Sequence, residues 1–201
     1  DYDFVPQDDC QSQEEAVSIV RKEMLTLNKI VLDAFAKRGI STHKLPPHEW
    51  ARNTGSNFHG NITQLFNNNN SVEITFGDVV DCDEGSFGIL SGDDLVVRIC
   101  QEIPNVKRLI FAVKGVDGIL KRPPEVADHN DLIEQWSPSI EYGGVHNSEI
   151  DVTGGIGLKA IRGSEVAASG VEVFIINGEQ PQRLLDACKG ISTRGTQIFA
   201  E

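Results

Sequence analysis

The sequence predicts an α/β protein, a three-layer αβα sandwich around a mainly parallel sheet. Two observations lead to this prediction. Strand-like and helix-like segments alternate along the 201 residues, which is the order that a parallel sheet with helices on both faces requires. The segment 109–113 is also a continuous apolar run of strand length, and 171–176 is a second, largely apolar run, as is typical of strands that are buried on both faces.

The helices are predicted from apolar spacing and from end signals. A helix is expected over 14–38, with Gly39 as its stop, because apolar residues recur there every three or four positions. These residues are Val17, Val20, Met24, Leu27, Val31 and Phe35. Ser91, with Asp94 three residues later, has the spacing of a capping box and predicts a helix over 93–102. Further helices are expected at 158–169 and 181–189.

The strands are expected to form one sheet within a single domain that covers residues 1–201. We expect the runs 72–76, 109–113 and 171–176 to be interior strands of that sheet, with a last strand at 196–199. Each of these three interior strands is followed by a loop that contains Gly, Asp or Asn, and ligands bind beyond the carboxyl ends of parallel strands. The loops expected to collect along that edge are Gly77-Asp78, Lys114–Gly118 and Asn177-Gly178.

Composition excludes several classes of protein. The net charge of −12 argues against a general nucleic-acid binder, which needs a basic face. No run of 18 apolar residues is present, so no membrane-spanning helix is expected, and the acidic start is unlike a signal peptide. The cysteines are far apart and form no CxxC pair, which favours reduced thiols in a cytoplasmic protein over a zinc site. They are Cys10, Cys82, Cys100 and Cys188.

Two glycine-rich helix starts are candidate phosphate sites. The first runs from Gly154-Gly155 to Lys159, and the second contains Ser91-Gly92. Glycine lets the backbone approach a ligand closely, a helix start attracts anions, and lysine adds a point charge. An ordinary structural turn and a capped helix start are the alternatives, and neither spacing matches the common nucleotide-binding motifs.

Other polar residues favour plainer interpretations. His43, His48 and His59 are expected to be surface histidines. The acidic run of Asp81, Asp83 and Glu84 is expected to be a solvated loop, and no metal site is predicted in the chain.

The motifs, taken in order, resemble the amino acid kinase superfamily, and within it the isopentenyl phosphate kinases. The resemblance covers nearly the whole chain and rests on order and spacing. Its segments are ITFGDVV (74–80), FGILSGDD (87–94), LIFAVKGVDGILKRPPE (109–125), DVTGGIGLK (151–159), GVEVFIING (170–178) and GTQIF (195–199).

The resemblance implies a carbamate kinase-like fold, phosphoryl transfer from ATP with Mg²⁺, and a small-molecule acceptor in a homodimeric enzyme. Lys159 would be catalytic and would bind ATP phosphates, together with Gly154, Gly155, Gly115 and Asp117. The expected substrate-binding residues are Gly77, Ser91 and Gly92, with Gly92 against the acceptor phosphate. The apolar stripe of 17–35 and the side chains of Phe58 and Phe66 would form a wall for a short prenyl tail.

The chain departs from the family pattern at two places. The family begins with a lysine-bearing strand and a glycine-rich loop, whose histidine grips the acceptor phosphate, and the given chain starts after that point. Gly115 also stands where the family usually has Asp. A phosphonate kinase resembling fosfomycin kinase therefore remains an alternative. A non-catalytic relic that binds nucleotide or a partner is the second alternative, and it is expected if the 201 residues are complete.

Overall fold

A computed structural model describes residues 12–66, 70–139 and 155–200. The chain divides into two compact units, Asp1–Ile103 and Pro104–Glu201, so the expected single domain over 1–201 stays a prediction. Within the described residues, no helix combines the length and the apolar character needed to cross a membrane.

In its described residues, the first unit contains one long α-helix, two shorter α-helices and two pairs of strands. The strands β1 and β2 pair in parallel, whereas β3 and β4 form an antiparallel hairpin in which Asp78 lies opposite Leu90. The elements are α1 (Gln13–Ala36), β1 (Thr42–Lys44), α2 (Ile62–Leu65), β2 (Val72–Ile74), β3 (Asp78–Asp81), β4 (Phe87–Leu90) and α3 (Gly92–Glu102). The hairpin is a feature that the sequence analysis missed.

The core of the first unit includes Phe58, which is 2% exposed. Trp50 packs edge-on against both Phe58 and Phe66, and the Arg98 guanidinium lies 4.4 Å above the centre of the Phe58 ring. The expectation that Phe58 lines a prenyl pocket is therefore wrong, because its ring is enclosed by the core. Phe66 packs on the same cluster.

Helix α1 is confirmed, and most of the predicted apolar stripe faces inward, with two exceptions. Val17 is buried, whereas Leu27 and Val31 are 54% and 38% exposed, and Asn28 is buried in place of Leu27. Arg21 belongs to the same inner face. Its side chain must face inward, because it donates to Val79 O at 2.9 Å and to Asp81 at 2.8 Å.

The second unit is built on a four-stranded sheet in the order β5-β7-β8-β6. The pairs β5–β7 and β6–β8 are parallel, and β7–β8 is antiparallel. The elements are β5 (Arg108–Val113), β6 (Gln135–Trp136), α4 (Gly155–Ala167), β7 (Glu172–Asn177), α5 (Pro181–Lys189) and β8 (Thr196–Ile198). Three of the five strand pairs in the described residues are thus parallel, and the protein is an α/β protein as predicted.

The prediction of one sheet is wrong for the run 72–76. Its strand β2 pairs with β1 in a separate two-stranded sheet. The run alternates, with Glu73 and Thr75 between apolar residues, and Val72 is 39% exposed, so the strand is half-buried and not interior. Asp78 likewise does not end that strand in a loop, since it begins β3.

The loops after β5 and β7 do meet, as predicted. Because these strands are parallel neighbours, their carboxyl ends lie side by side, and Gly178 N–H donates to Val113 O at 2.7 Å. This edge of the sheet carries the cavity described next.

Candidate functional site

A cavity of about 380 Å³ lies in the second unit, at the carboxyl end of β5. Its walls come from the end of β5, from the glycine turn (residues 114–118) and from the start of α4. Gly155 and Lys159, both expected to bind ATP, line it. The structure thus brings together two segments that are about 40 residues apart in the sequence, at the position where ligands bind in α/β sheets.

The start of α4 has the features of a phosphate site. Gly155 is the first residue of the helix and has φ +61°, in the left-handed region that favours glycine. Lys159 follows four residues later, so both residues are on the same side of the helix. The first backbone N–H groups of a helix point out of its end and carry partial positive charge. Gly154 lies outside the described residues.

The glycine turn presents alternate residues to the cavity. Lys114, Val116 and Gly118 line it, whereas Gly115 has φ +79° and donates its N–H to Glu179 Oε2 at 3.1 Å. Lys114 therefore brings a second cation to the cavity wall, which the sequence analysis did not single out. Its signal was present, because it is a lysine directly after a buried strand.

Asp117, the other turn residue expected to contact ATP, is held from the opposite side. One carboxylate oxygen accepts from Arg183 at 2.6 Å and from Asn177 at 3.2 Å, and the other accepts from Arg194 Nε at 2.5 Å. Arg194 also donates to His129 O at 2.6 Å. Burial raises the pKa of Asp117, but hydrogen bonds from Arg194, Asn177 and Arg183 lower it by more, so the carboxyl stays ionised below its usual pKa.

Gly118 has no space for a side chain. A Cβ atom at this position would lie 2.4 Å from Thr196 Oγ1 and 2.9 Å from Thr196 N. Thr196 is completely buried. Its hydroxyl accepts from Ile119 N–H and donates to Ile133 O. The end of the glycine turn is therefore fixed against the start of β8.

The three residues expected to bind the acceptor lie together in the first unit. A Cβ atom on Gly77 would approach Gly92 N to 3.3 Å, so the two glycines are in close backbone contact. The Ser91 hydroxyl caps α3 by accepting from Asp93 N–H at 3.1 Å. Asp93 and Asp94, in the first turn of α3, are 6% and 1% exposed. Ser91 is thus the N-cap of α3, but its bond comes from the residue two positions on, whereas the expected capping box uses the residue three positions on.

His48 is not the surface histidine that was expected. Its Nδ1 lies 2.6 Å from the fully buried carboxylate of Asp78, and its backbone N–H donates to the same oxygen at 3.2 Å. The other Asp78 oxygen accepts from Val79 N–H. The pair was missed because 30 residues separate its members and only the tertiary structure brings them together.

Two carboxylates of the acidic run at the end of β3 make interactions within the protein. Asp81 pairs with Arg21 at 2.8 Å, and Asp83 accepts from Asn53 at 3.1 Å. Among the described residues, no group of three or more His, Cys, Asp or Glu side chains is arranged to hold a metal ion.

Comparison with known proteins places the chain in a family. The sequence model of the Amino acid kinase family matches residues 2–177. The chain is 31% identical to isopentenyl phosphate kinase from Thermoplasma acidophilum, over 86% of this chain and 68% of that protein. It is 28% identical to isopentenyl phosphate kinase from Methanothermobacter thermautotrophicus, over 96% of this chain and 74% of that protein.

Solved structures agree with the sequence comparison. A crystal structure of the T. acidophilum isopentenyl phosphate kinase product complex matches with a TM-score of 0.73 at 27% identity, and covers 96% of this chain and 75% of that one. Escherichia coli aspartokinase III matches with a TM-score of 0.51 at 12% identity, over 85% of this chain and 37% of that one, and shows only that the fold is shared. The chain therefore belongs to the amino acid kinase family, as a kinase that resembles the isopentenyl phosphate kinases.

Proposed function

We propose that the protein transfers the γ-phosphoryl group of Mg–ATP to isopentenyl phosphate, giving isopentenyl diphosphate and ADP. The observation that carries the proposal is the cavity of the second unit, in which Lys114 and Lys159 accompany the glycine-rich start of α4. Two lysines and a helix start form a site for a polyphosphate. The names of the relatives support the choice of acceptor.

Phosphoryl transfer mainly requires that the protein neutralise the charge of the phosphates and position the two substrates. An oxygen of the acceptor phosphate attacks the γ-phosphorus of ATP, and the bond from that phosphorus to the β,γ-bridging oxygen breaks, so that ADP leaves. In this proposal Lys159 stabilises the charge on the transferred group, and backbone N–H groups at Gly154 and Gly155 hold the phosphates. Mg²⁺ enters with ATP as part of the substrate and neutralises the phosphates.

The acceptor site is proposed at Gly77, Ser91 and Gly92. The close backbone contact between the two glycines leaves the start of α3 without bulky side chains at that point. The adjacent acidic pair means that the charge of an acceptor phosphate has to be balanced by cations beyond this segment.

A competition assay tests the acceptor. The full-length protein is given ATP and equal concentrations of isopentenyl phosphate, fosfomycin, glutamate and aspartate, and the phosphorylated products are quantified. We expect isopentenyl diphosphate to dominate. Preference for fosfomycin would establish the phosphonate kinase alternative, and preference for an amino acid would defeat the prenyl acceptor. ATP binding without turnover of any acceptor would favour the relic.

We also propose that the enzyme is a cytoplasmic homodimer. Helix α1 supports the dimer, because Leu27, Ile30 and Val31 form one exposed apolar row on it, with Ile30 64% exposed. A second copy of the chain is the proposed occupant. Analytical ultracentrifugation should give the dimer mass for the full-length protein and the monomer mass for Ile30→Glu, and a monomeric wild type would refute the proposal.

A further inference from the structure

We infer that Arg183 and Arg194 are positioning residues for the nucleotide, acting through Asp117, so that Asp117 supports the ATP site without contacting ATP. The inference rests on the proposed function for the identity of the nucleotide. It deepens the description of that site by assigning the residues that hold one wall of it.

The alternation along the glycine turn is the first argument. Lys114, Val116 and Gly118 line the cavity, while Gly115 and Asp117 make their polar contacts to other parts of the second unit. The two sets of residues alternate along the turn. A displacement of Asp117 therefore also displaces its neighbours Val116 and Gly118, which line the cavity.

The separate origin of the partners is the second argument. Asn177 ends β7, Arg183 lies in the first turn of α5, and Arg194 lies between α5 and β8. Each donates to the same carboxylate. Three elements thus converge on one side chain of a five-residue turn, and two of the donors are cations whose charge-assisted bonds are stronger than neutral ones.

The cost of losing the carboxylate is the third argument. Arg183 and Arg194 are 28% and 33% exposed and Asp117 is 26% exposed, so the cluster is partly shielded from water. Removing Asp117 would leave two partly buried guanidinium groups close together without their shared anion. These would repel each other, and the turn would lose its fixed conformation.

The test measures binding of Mg–AMP-PNP and steady-state kinetics in the full-length protein. For Asp117→Asn and for Arg194→Gln we expect Kd and KM for the nucleotide to rise about tenfold, because a small displacement of a binding wall is enough for this, while kcat stays within about twofold. Arg194→Lys, which restores the charge, should recover part of the affinity. The double variant Asp117→Asn with Arg194→Gln should lose no more nucleotide affinity than the more severe single variant, since both substitutions act through one interaction.

Arg108→Gln is the matched control. Arg108 pairs with Glu172 at 2.7 Å and is 28% exposed, but this pair joins the opposite ends of the same two strands, β5 and β7. The control should leave nucleotide affinity unchanged. Thermal unfolding of every variant reports whether it is folded, and Arg183→Gln gives a milder perturbation if Asp117→Asn does not fold.

Nucleotide affinity within twofold of wild type in folded Asp117→Asn and Arg194→Gln would overturn the inference, as would an equal loss in Arg108→Gln. Failure of the proposed function looks different. In that case wild type binds Mg–AMP-PNP and the variants bind it less well, but isopentenyl phosphate is not phosphorylated.

Discussion

The two glycine-rich helix starts, of α3 and α4, look alike in sequence and differ in the charge around them. The first turn of α3 contains Asp93 and Asp94, which are buried. The first turn of α4, as described from Gly155, carries no acidic residue and leads to Lys159. Acidic side chains in a first turn already complement the helix dipole, whereas a first turn without them favours an external anion more strongly. The start of α4 therefore suits a phosphate with its own lysine, whereas a phosphate at the start of α3 needs cations from outside that segment.

The contrast between the two helix starts is tested most strongly at Lys159, and replacing this lysine by Ala should have the largest effect of the predicted changes. We expect turnover to fall tenfold or more, because a cation that stabilises the transferred phosphoryl group contributes a few kcal/mol. Steady-state kinetics of the full-length protein measures it. Lys189→Ala, at the last turn of α5, is the control for the loss of one positive charge. Unchanged kinetics would mean that Lys159 is only a solvated helix residue.

Two glycines of the turn should differ in how much an added methyl group lowers the free energy of unfolding. Gly118→Ala should lower the free energy of unfolding by about 1–3 kcal/mol, since the new Cβ would overlap Thr196 in the core. Gly115→Ala should cost only about 1 kcal/mol, because its Cβ meets no atom within 4 Å and only the positive φ is strained. Urea denaturation of both variants measures the difference, and equal losses would contradict the described geometry of the turn.

Acid should lower the stability that Asp117 gives to the glycine turn beside the start of α4. Its pKa is lower in the folded state than in the unfolded state, so the unfolded state binds more protons and stability rises with pH in that range. The contribution is complete above the unfolded value of about 3.9 and is lost as the pH falls through the folded pKa. Asp117→Asn lacks this contribution. The stability gap between wild type and variant should therefore narrow below about pH 4, and a gap that is constant with pH would argue against the ionised cluster.

Gly92→Ala should have the smallest effect on stability, and it tests whether the start of α3 binds the acceptor. The nearest atom to the added Cβ is Gly77 N at 3.9 Å, an ordinary contact, and alanine favours a helix over glycine by about 1 kcal/mol. Stability should thus be unchanged or slightly higher. If the acceptor phosphate lies against Gly92, KM for isopentenyl phosphate rises while KM for ATP does not. An unchanged acceptor KM would move the acceptor site elsewhere.

Local signals in the sequence predicted most of the helices. The cap at Ser91, the stop after α1 and the bounds of α5 depend on neighbouring residues, and the structure confirms them. The apolar runs 109–113 and 171–176 likewise predicted buried strands of one sheet, and they form β5 and β7. These features follow from spacing and capping chemistry, which act over a few residues.

Only the tertiary structure decided which polar groups meet. The Asp117 carboxylate joins residues 60 to 77 positions away, and the His48–Asp78 pair spans 30. Arg21 reaches Asp81, and Asn28 is buried, whereas Leu27 and Val31 of the predicted stripe lie at the surface. Such ion pairs and hydrogen bonds depend on distances of about 3 Å between side chains of different elements. Spacing along the chain carries no information on those distances, so these contacts could not be predicted from the sequence.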